Sequence, residues 1–196
     1  VQLFITERRK EKIQKVVAAR QQSLRVVMEN VHDPHNVSAV FRTCDAVGVP
    51  KVSLLYYIEH FPKIGKKSSA SAFKWVEKDK HTDVKSCYES LRAEGFKIYA
   101  SALADDAVSL YDLDLTEKAA IVLGNEHRGI SEEAAALADK KFIIPMYGMV
   151  QSLNISVAAA VILYEAARQR MAKGMYDKSE LGGTEFNELF EKWCDK

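Results

Sequence analysis

The chain has little of several features that would narrow its chemistry at once. Its 196 residues include only three cysteines, Cys44, Cys87 and Cys194. They are odd in number, far apart and without Cys-x-x-Cys spacing, so no disulfide framework or cysteine zinc site is expected, and the thiols are read as reduced. No apolar run approaches the roughly eighteen residues of a membrane span, and the amino-terminal region, charged from Glu7 onward, is not a basic segment followed by an apolar run. Neither a membrane helix nor a secretory signal is expected, and a cytoplasmic setting is. There is no Pro/Gly-rich linker, internal repeat or low-complexity tract, which argues against tethered domains. Net charge is +1, so the overall balance announces no nucleic-acid partner and the distribution has to be read instead.

The distribution is uneven. Residues 7–20 (ERRKEKIQKVVAAR) hold six basic and two acidic side chains, whereas residues 177–196 hold six acidic and three basic ones. Between these ends, 47% hydrophobic content is enough for one core, and strand and helix signals alternate. Strands are expected at Leu24–Asn30, Lys51–Tyr57, Phe96–Leu103, Ala119–Gly124 and Lys141–Met146. Helices are expected over residues 7–20, from Val37 to Gly48, over Thr82–Glu94, after Ser131, over Asn154–Lys173 and over Thr184–Trp193. Residues Ile58–Phe73 read as an exposed basic loop. The alternation implies an α/β fold with a mostly parallel sheet covered on both faces, whose ligands bind beyond the carboxyl ends of the strands.

Three loop segments lie at that edge. Gly124-Asn-Glu-His-Arg-Gly-Ile-Ser131 leads from a strand into a capped helix, as a phosphate loop does, but Ile130 occupies the position where such a loop needs lysine, which argues against nucleotide hydrolysis. Met146–Asn154 mixes apolar residues with Gly148, Gln151, Ser152 and Asn154. It can offer a ligand polar groups, or Ser152 or Asn154 can simply cap the long helix that follows. In Val31–Thr43, Arg42 sits beside the buried helix face, either solvated or placed to grip a phosphate bidentately. His32 and His35 lack partners at metal-ligand spacing, and no metal is expected.

Taken together, NVSAVFRTCDAVG, IVLGNEHRGIS and IIPMYGMVQSLNISVAAAVILYEA resemble, in order and spacing, the three motifs of the SpoU/TrmH family of SPOUT-class RNA 2′-O-methyltransferases. The resemblance covers roughly residues 24–172. It implies a SPOUT-type α/β fold with a carboxyl-terminal deep trefoil knot, S-adenosylmethionine as cofactor, a homodimer, and tRNA as substrate, with the ribose of guanosine 18 in the D-loop as target; the alternatives are another tRNA or rRNA nucleotide, or a non-catalytic RNA-binding protein of the same fold. It divides the chain into a basic helical extension (1–22), a methyltransferase domain (23–173) and a carboxyl-terminal helical extension (174–196). The implied catalytic residues are Asn36, Arg42, Glu126, Ser152 and Asn154. Ala102, Leu103, Gly124, Ile144, Met146, Gly148 and Leu153 are the implied cofactor wall.

For RNA contact, the candidates are Arg8, Arg9, Lys10 and Arg20 of the basic helix, His35, Lys63, Lys66, Lys67, Arg168 and Arg170. A solvated helix face is the ordinary alternative for the first group. The family's proposal makes Arg42 the base. A guanidinium keeps its proton at neutral pH, so anchoring the substrate phosphate and orienting the hydroxyl is the role its chemistry suits better.

Overall fold

A computed structural model describes residues 5–62 and 72–196. Lys63, Lys66 and Lys67 lie outside the described residues. Among the described residues, seven parallel strands form one sheet: β1 (Leu24–Glu29), β2 (Lys51–Leu55), β3 (Glu77–His81), β4 (Lys97–Ser101), β5 (Val108–Ser109), β6 (Ala119–Leu123) and β7 (Lys140–Ile143), in the order β3-β2-β1-β6-β4-β7-β5. Six α-helices among the same residues accompany them: α1 (Glu7–Ala18), α2 (Pro34–Ala46), α3 (Val84–Ala93), α4 (Glu132–Leu137), α5 (Ile155–Ala172) and α6 (Gly183–Cys194).

The central strands are apolar along their length because both their faces are covered. Every residue of β1 and of β6 is buried. Val26 and Met28 point into a cluster with Val40 and Phe41 of α2 and Ile162 and Leu163 of α5, whereas Val27 joins Cys87, Tyr88 and Leu91 of α3 and Ala134 of α4 on the other face. Such two-sided burial is what a parallel sheet requires, and it agrees with the fold read from the alternation. Two strands escaped that reading. The β3 sequence, EKDKH, is polar because it forms an exposed edge, and β5 is only two residues long; neither carries an apolar periodicity.

Helix starts follow local chemistry. Asp33 caps α2 by accepting from His35 N at 2.8 Å, with Pro34 in the first turn, where a missing N–H costs nothing. Ser131 caps α4 through Ala134 N at 3.1 Å, as expected. Of the two candidate caps for α5, Asn154 is the one used, accepting from Ser156 N at 2.8 Å.

The two ends of the chain meet. Ile13 and Val17 of α1 pack with Trp193 of α6, and Trp75 joins them. Arg20 lies beneath this cluster, its guanidinium 4.9 Å from the centre of the Trp193 ring, and it bonds Asp45 Oδ1 (2.5 Å) and the Val49 carbonyl (3.2 Å). Arg170 is also fully buried. Its Nε donates to the Leu115 carbonyl (2.9 Å), Nη2 to the carbonyls of Ser23 (3.1 Å) and Glu117 (2.9 Å), and Nη1 to Ser23 Oγ (2.8 Å) and Gln21 Oε1 (3.2 Å). Both side chains have 0% exposure. The expectation that Arg20 and Arg170 touch RNA is therefore corrected: both guanidiniums are sealed inside the protein, where they bond acceptors from separate segments and tie them together.

Removing the Arg170 guanidinium would take the donor from the Leu115 and Glu117 carbonyls, while the Ser23 carbonyl would keep only the Ala119 N–H. Arg170→Ala is expected to lower the unfolding free energy by about 3 kcal/mol or more in urea titrations. An unchanged midpoint would show that water replaces the side chain freely.

Candidate functional site

Because β1, β6, β4 and β7 are neighbours and parallel, their carboxyl ends lie side by side, and so do the loops that leave them. Each loop is shaped by its own hydrogen bonds. Asn30, directly after β1, has a φ of 50°, a conformation that asparagine tolerates better than most residues. Its Oδ1 accepts from the backbone N–H groups of Tyr57 (3.1 Å), Ile58 (3.0 Å) and Glu59 (3.2 Å), so the turn after β1 also shapes the segment after β2.

After β6, Asn125 and Gly129 exchange both backbone hydrogen bonds at 2.9 Å. The buried Asn125 side chain stiffens this turn: Nδ2 donates to the Asn30 carbonyl (2.7 Å), and Oδ1 accepts from the N–H groups of His127 (2.9 Å) and Arg128 (3.1 Å). Gly124 must be glycine here, since a Cβ would lie 2.2 Å from the Gly129 carbonyl carbon and 2.4 Å from Ile130 N. Asn30 and Asn125 are not among the expected site residues. The signal for them is an asparagine one residue after β1 and two residues after β6, where side-chain-to-backbone bonds build turns.

The turn presents Glu126 to the loop before α2. Glu126 Oε2 accepts from His32 N (2.9 Å), and Oε1 accepts from Asp33 N (3.1 Å) and Asn36 Nδ2 (2.9 Å). Asn36 Oδ1 in turn accepts from Asn154 Nδ2 at 3.3 Å. Asn154, Asn36 and Glu126 thus form one chain of side chains from three loops. Burial opposes the charge on Glu126, yet the bonds from Asn36, His32 and Asp33 outweigh it and hold its pKa below the ordinary value. A lowered carboxylate pKa contributes stability above the unfolded value, about 4.3, that is lost as pH falls through the native value. The network is therefore intact at neutral pH.

Of the other expected catalytic residues, Arg42 is exposed on α2 and Ser152 is exposed in the loop before α5, neither bonded through its side chain to the described residues. Ala102, just past β4, donates its N–H to the Phe142 carbonyl at 3.1 Å. Ala102, Gly124, Ile144, Met146 and Leu153 are half-buried, whereas Leu103 and Gly148 are exposed. Tyr147 (98%) and Met149 (100%) stand almost free of the protein beside them. This edge therefore presents a half-buried to exposed, largely apolar surface beside the three loops.

Among the RNA candidates, Arg8, Arg9 and His35 are exposed. Lys10 pairs with Glu7 at 2.8 Å, and Arg168 pairs with Glu165 through two 2.8 Å bonds. Among the described residues, no group of three or more His, Cys, Asp or Glu side chains could hold a metal ion.

Fold and site define the class: a parallel α/β protein whose candidate site is built from three loops at the carboxyl edge of its sheet. The sequence profile of the SpoU rRNA Methylase family matches residues 23–164, and the chain belongs to that family. It is 45% identical to the tRNA (guanosine(18)-2′-O)-methyltransferase of Thermus thermophilus, over 97% of this chain and 98% of that protein. It is 46% identical to the Escherichia coli protein of the same name, over 84% of this chain and 72% of that one. The crystal structure of the Aquifex aeolicus TrmH/SpoU tRNA modifying enzyme superposes with a TM-score of 0.90 at 40% identity, covering 96% of this chain and 95% of that one.

Gly124→Ala is expected to lower the unfolding free energy by about 1–3 kcal/mol, with amide chemical-shift changes centred on Gly129 and Ile130. Wild-type stability and shifts would mean that the turn relaxes around the added methyl.

Proposed function

We propose that this protein transfers a methyl group from S-adenosylmethionine to a ribose 2′-hydroxyl of tRNA, with guanosine 18 as the target. The observation that carries this reading is the Asn154–Asn36–Glu126 chain, which joins the three family motifs at one sheet edge. The names of the relatives point to the same reaction and substrate. A cytoplasmic setting and a carboxyl-terminal knot are part of this reading.

When bound, S-adenosylmethionine supplies an electrophilic methyl on a sulfonium. The residues suited to hold it are the half-buried Gly124, Ile144, Met146 and Leu153, with Ala102, Leu103 and Gly148 completing the wall. The acceptor is the ribose 2′-hydroxyl oxygen, which would take the methyl and release its proton to solvent, with the thioether form of the cofactor as the leaving group. Positioning supplies most of the acceleration in a displacement of this kind. Arg42, exposed and without a side-chain partner among the described residues, grips the phosphate beside the target ribose and orients the hydroxyl. Asn36 and Asn154 fix the ribose, and Glu126 holds Asn36 in place for that task. Arg8 and Arg9 on α1, with Lys10, form the arm that meets the tRNA backbone.

A homodimer is part of this reading. Along α5, Val157, Tyr164 and Met171 recur seven residues apart and are 49%, 57% and 60% exposed, and Tyr147, Met149 and Val150 add an apolar loop. An apolar stripe of this kind marks a surface that a partner covers.

Incubation with labelled S-adenosylmethionine and unmodified tRNA should place the label on the ribose of guanosine 18. Label on a base, or none on tRNA, would overturn the reading. Arg42→Lys should lower turnover by about a hundred-fold with the cofactor still bound; full turnover would exclude bidentate gripping. Tyr164→Glu should shift the sedimentation coefficient toward that of a monomer. A wild-type value would place the interface elsewhere.

A further inference from the structure

Glu59 belongs to none of the three motifs, yet it spans two of their loops. Its Oε1 accepts from Arg128 Nη2 at 2.6 Å, in the turn after β6. Its Oε2 lies 3.0 Å from His32 Nδ1, in the loop before α2. The Glu59 side chain is 22% exposed, against 50% for Arg128 and 65% for His32, so the carboxylate is seated between two outward-facing groups. Its own backbone is held as well, since Glu59 N–H donates to Asn30 Oδ1. The hydrogen bond from Arg128 and then that from His32 lower its pKa, which keeps it an acceptor at neutral pH.

These two attachments bracket the Glu126 network. His32 carries one of the backbone N–H groups that Glu126 accepts, and Arg128 lies two residues beyond Glu126 in the turn that presents it. We infer that Glu59 is a positioning residue for methyl transfer: a strap from the segment after β2 that clamps the loop before α2 to the turn after β6. This inference rests on the proposed methyl-transfer activity. Glu59 touches neither Asn36 nor Asn154 through any hydrogen bond, so it acts through the loops.

The geometry separates this role from general stabilisation. The strap lies at the surface and outside both large apolar clusters, so cutting it should leave the core intact while loosening Asn36 relative to the ribose. A misplacement of about 1 Å in a reacting constellation costs on the order of a hundred-fold in rate.

Turnover of tRNA by the full-length protein should fall roughly ten- to a hundred-fold in Glu59→Gln, while the KM for S-adenosylmethionine changes less than about three-fold and the melting temperature stays near wild type. Arg128→Ala approaches the same contact from the other side and should give a comparable loss. The double variant should be no worse than the more impaired single variant, because both remove one strap. Wild-type turnover in Glu59→Gln, or losses that multiply in the double variant, would overturn the strap. So would a fall in turnover matched by a fall in melting temperature. If the wild-type protein itself transfers no methyl group to tRNA, it is the proposed activity that fails.

Discussion

The Glu126 carboxylate accepts from two backbone N–H groups and one side-chain amide that lie 90 to 94 residues earlier in the chain, and the candidate site is organised around it. A carboxylate is the right group for this place because it is acceptor-only and can take several donors at once. Half-burial strengthens each of those bonds, and the bonds in turn keep the charge. Without it, the loop before α2 would present two unpaired N–H groups, and Asn36 would lose the contact that orients its amide toward Asn154.

That interaction is possible only because of the strand order. Placing β6 beside β1, rather than at an edge, brings the turn after β6 against the loop before α2, and β4 and β7 follow on the same side. The rest of the molecule holds this order in place. Arg170 gathers carbonyls from the segments before β1 and β6, and Arg20 ties the end of α1 to α2. Two buried guanidiniums thus organise the opposite end of the sheet from the site, with planar donor forks suited to several fixed acceptors.

Much of this was legible in the residues. The apolar runs of β1 and β6 mark buried parallel strands, and the loops at their carboxyl ends fall on the edge where such sheets bind ligands. The rest was hidden for physical reasons. An edge strand such as β3 needs no apolar face, so EKDKH reads as loop. Arg20 and Arg170 read as RNA contacts because arginine is usually exposed, although spacing carried the opposite signal: Arg20 shares a side of the first helical segment with Ile13 and Val17, and Arg170 follows Ala166 and Ala167 by one turn on the buried face of α5. For Asn154, helix capping and a place in the site proved to be the same geometry, since Oδ1 caps α5 while Nδ2 reaches Asn36. No local pattern pointed to Glu59, whose partners come from two distant loops.

If one carboxylate orders the motif-one loop, exchanging it for an amide of the same shape should disorder that loop and little else. Amide hydrogen exchange in Glu126→Gln measures this directly. Protection at His32 and Asp33 is expected to fall, together with turnover, while the amides of β1, β6 and β4 exchange as in the wild type. Unchanged protection at His32 and Asp33 would contradict the claim that Glu126 holds the site together.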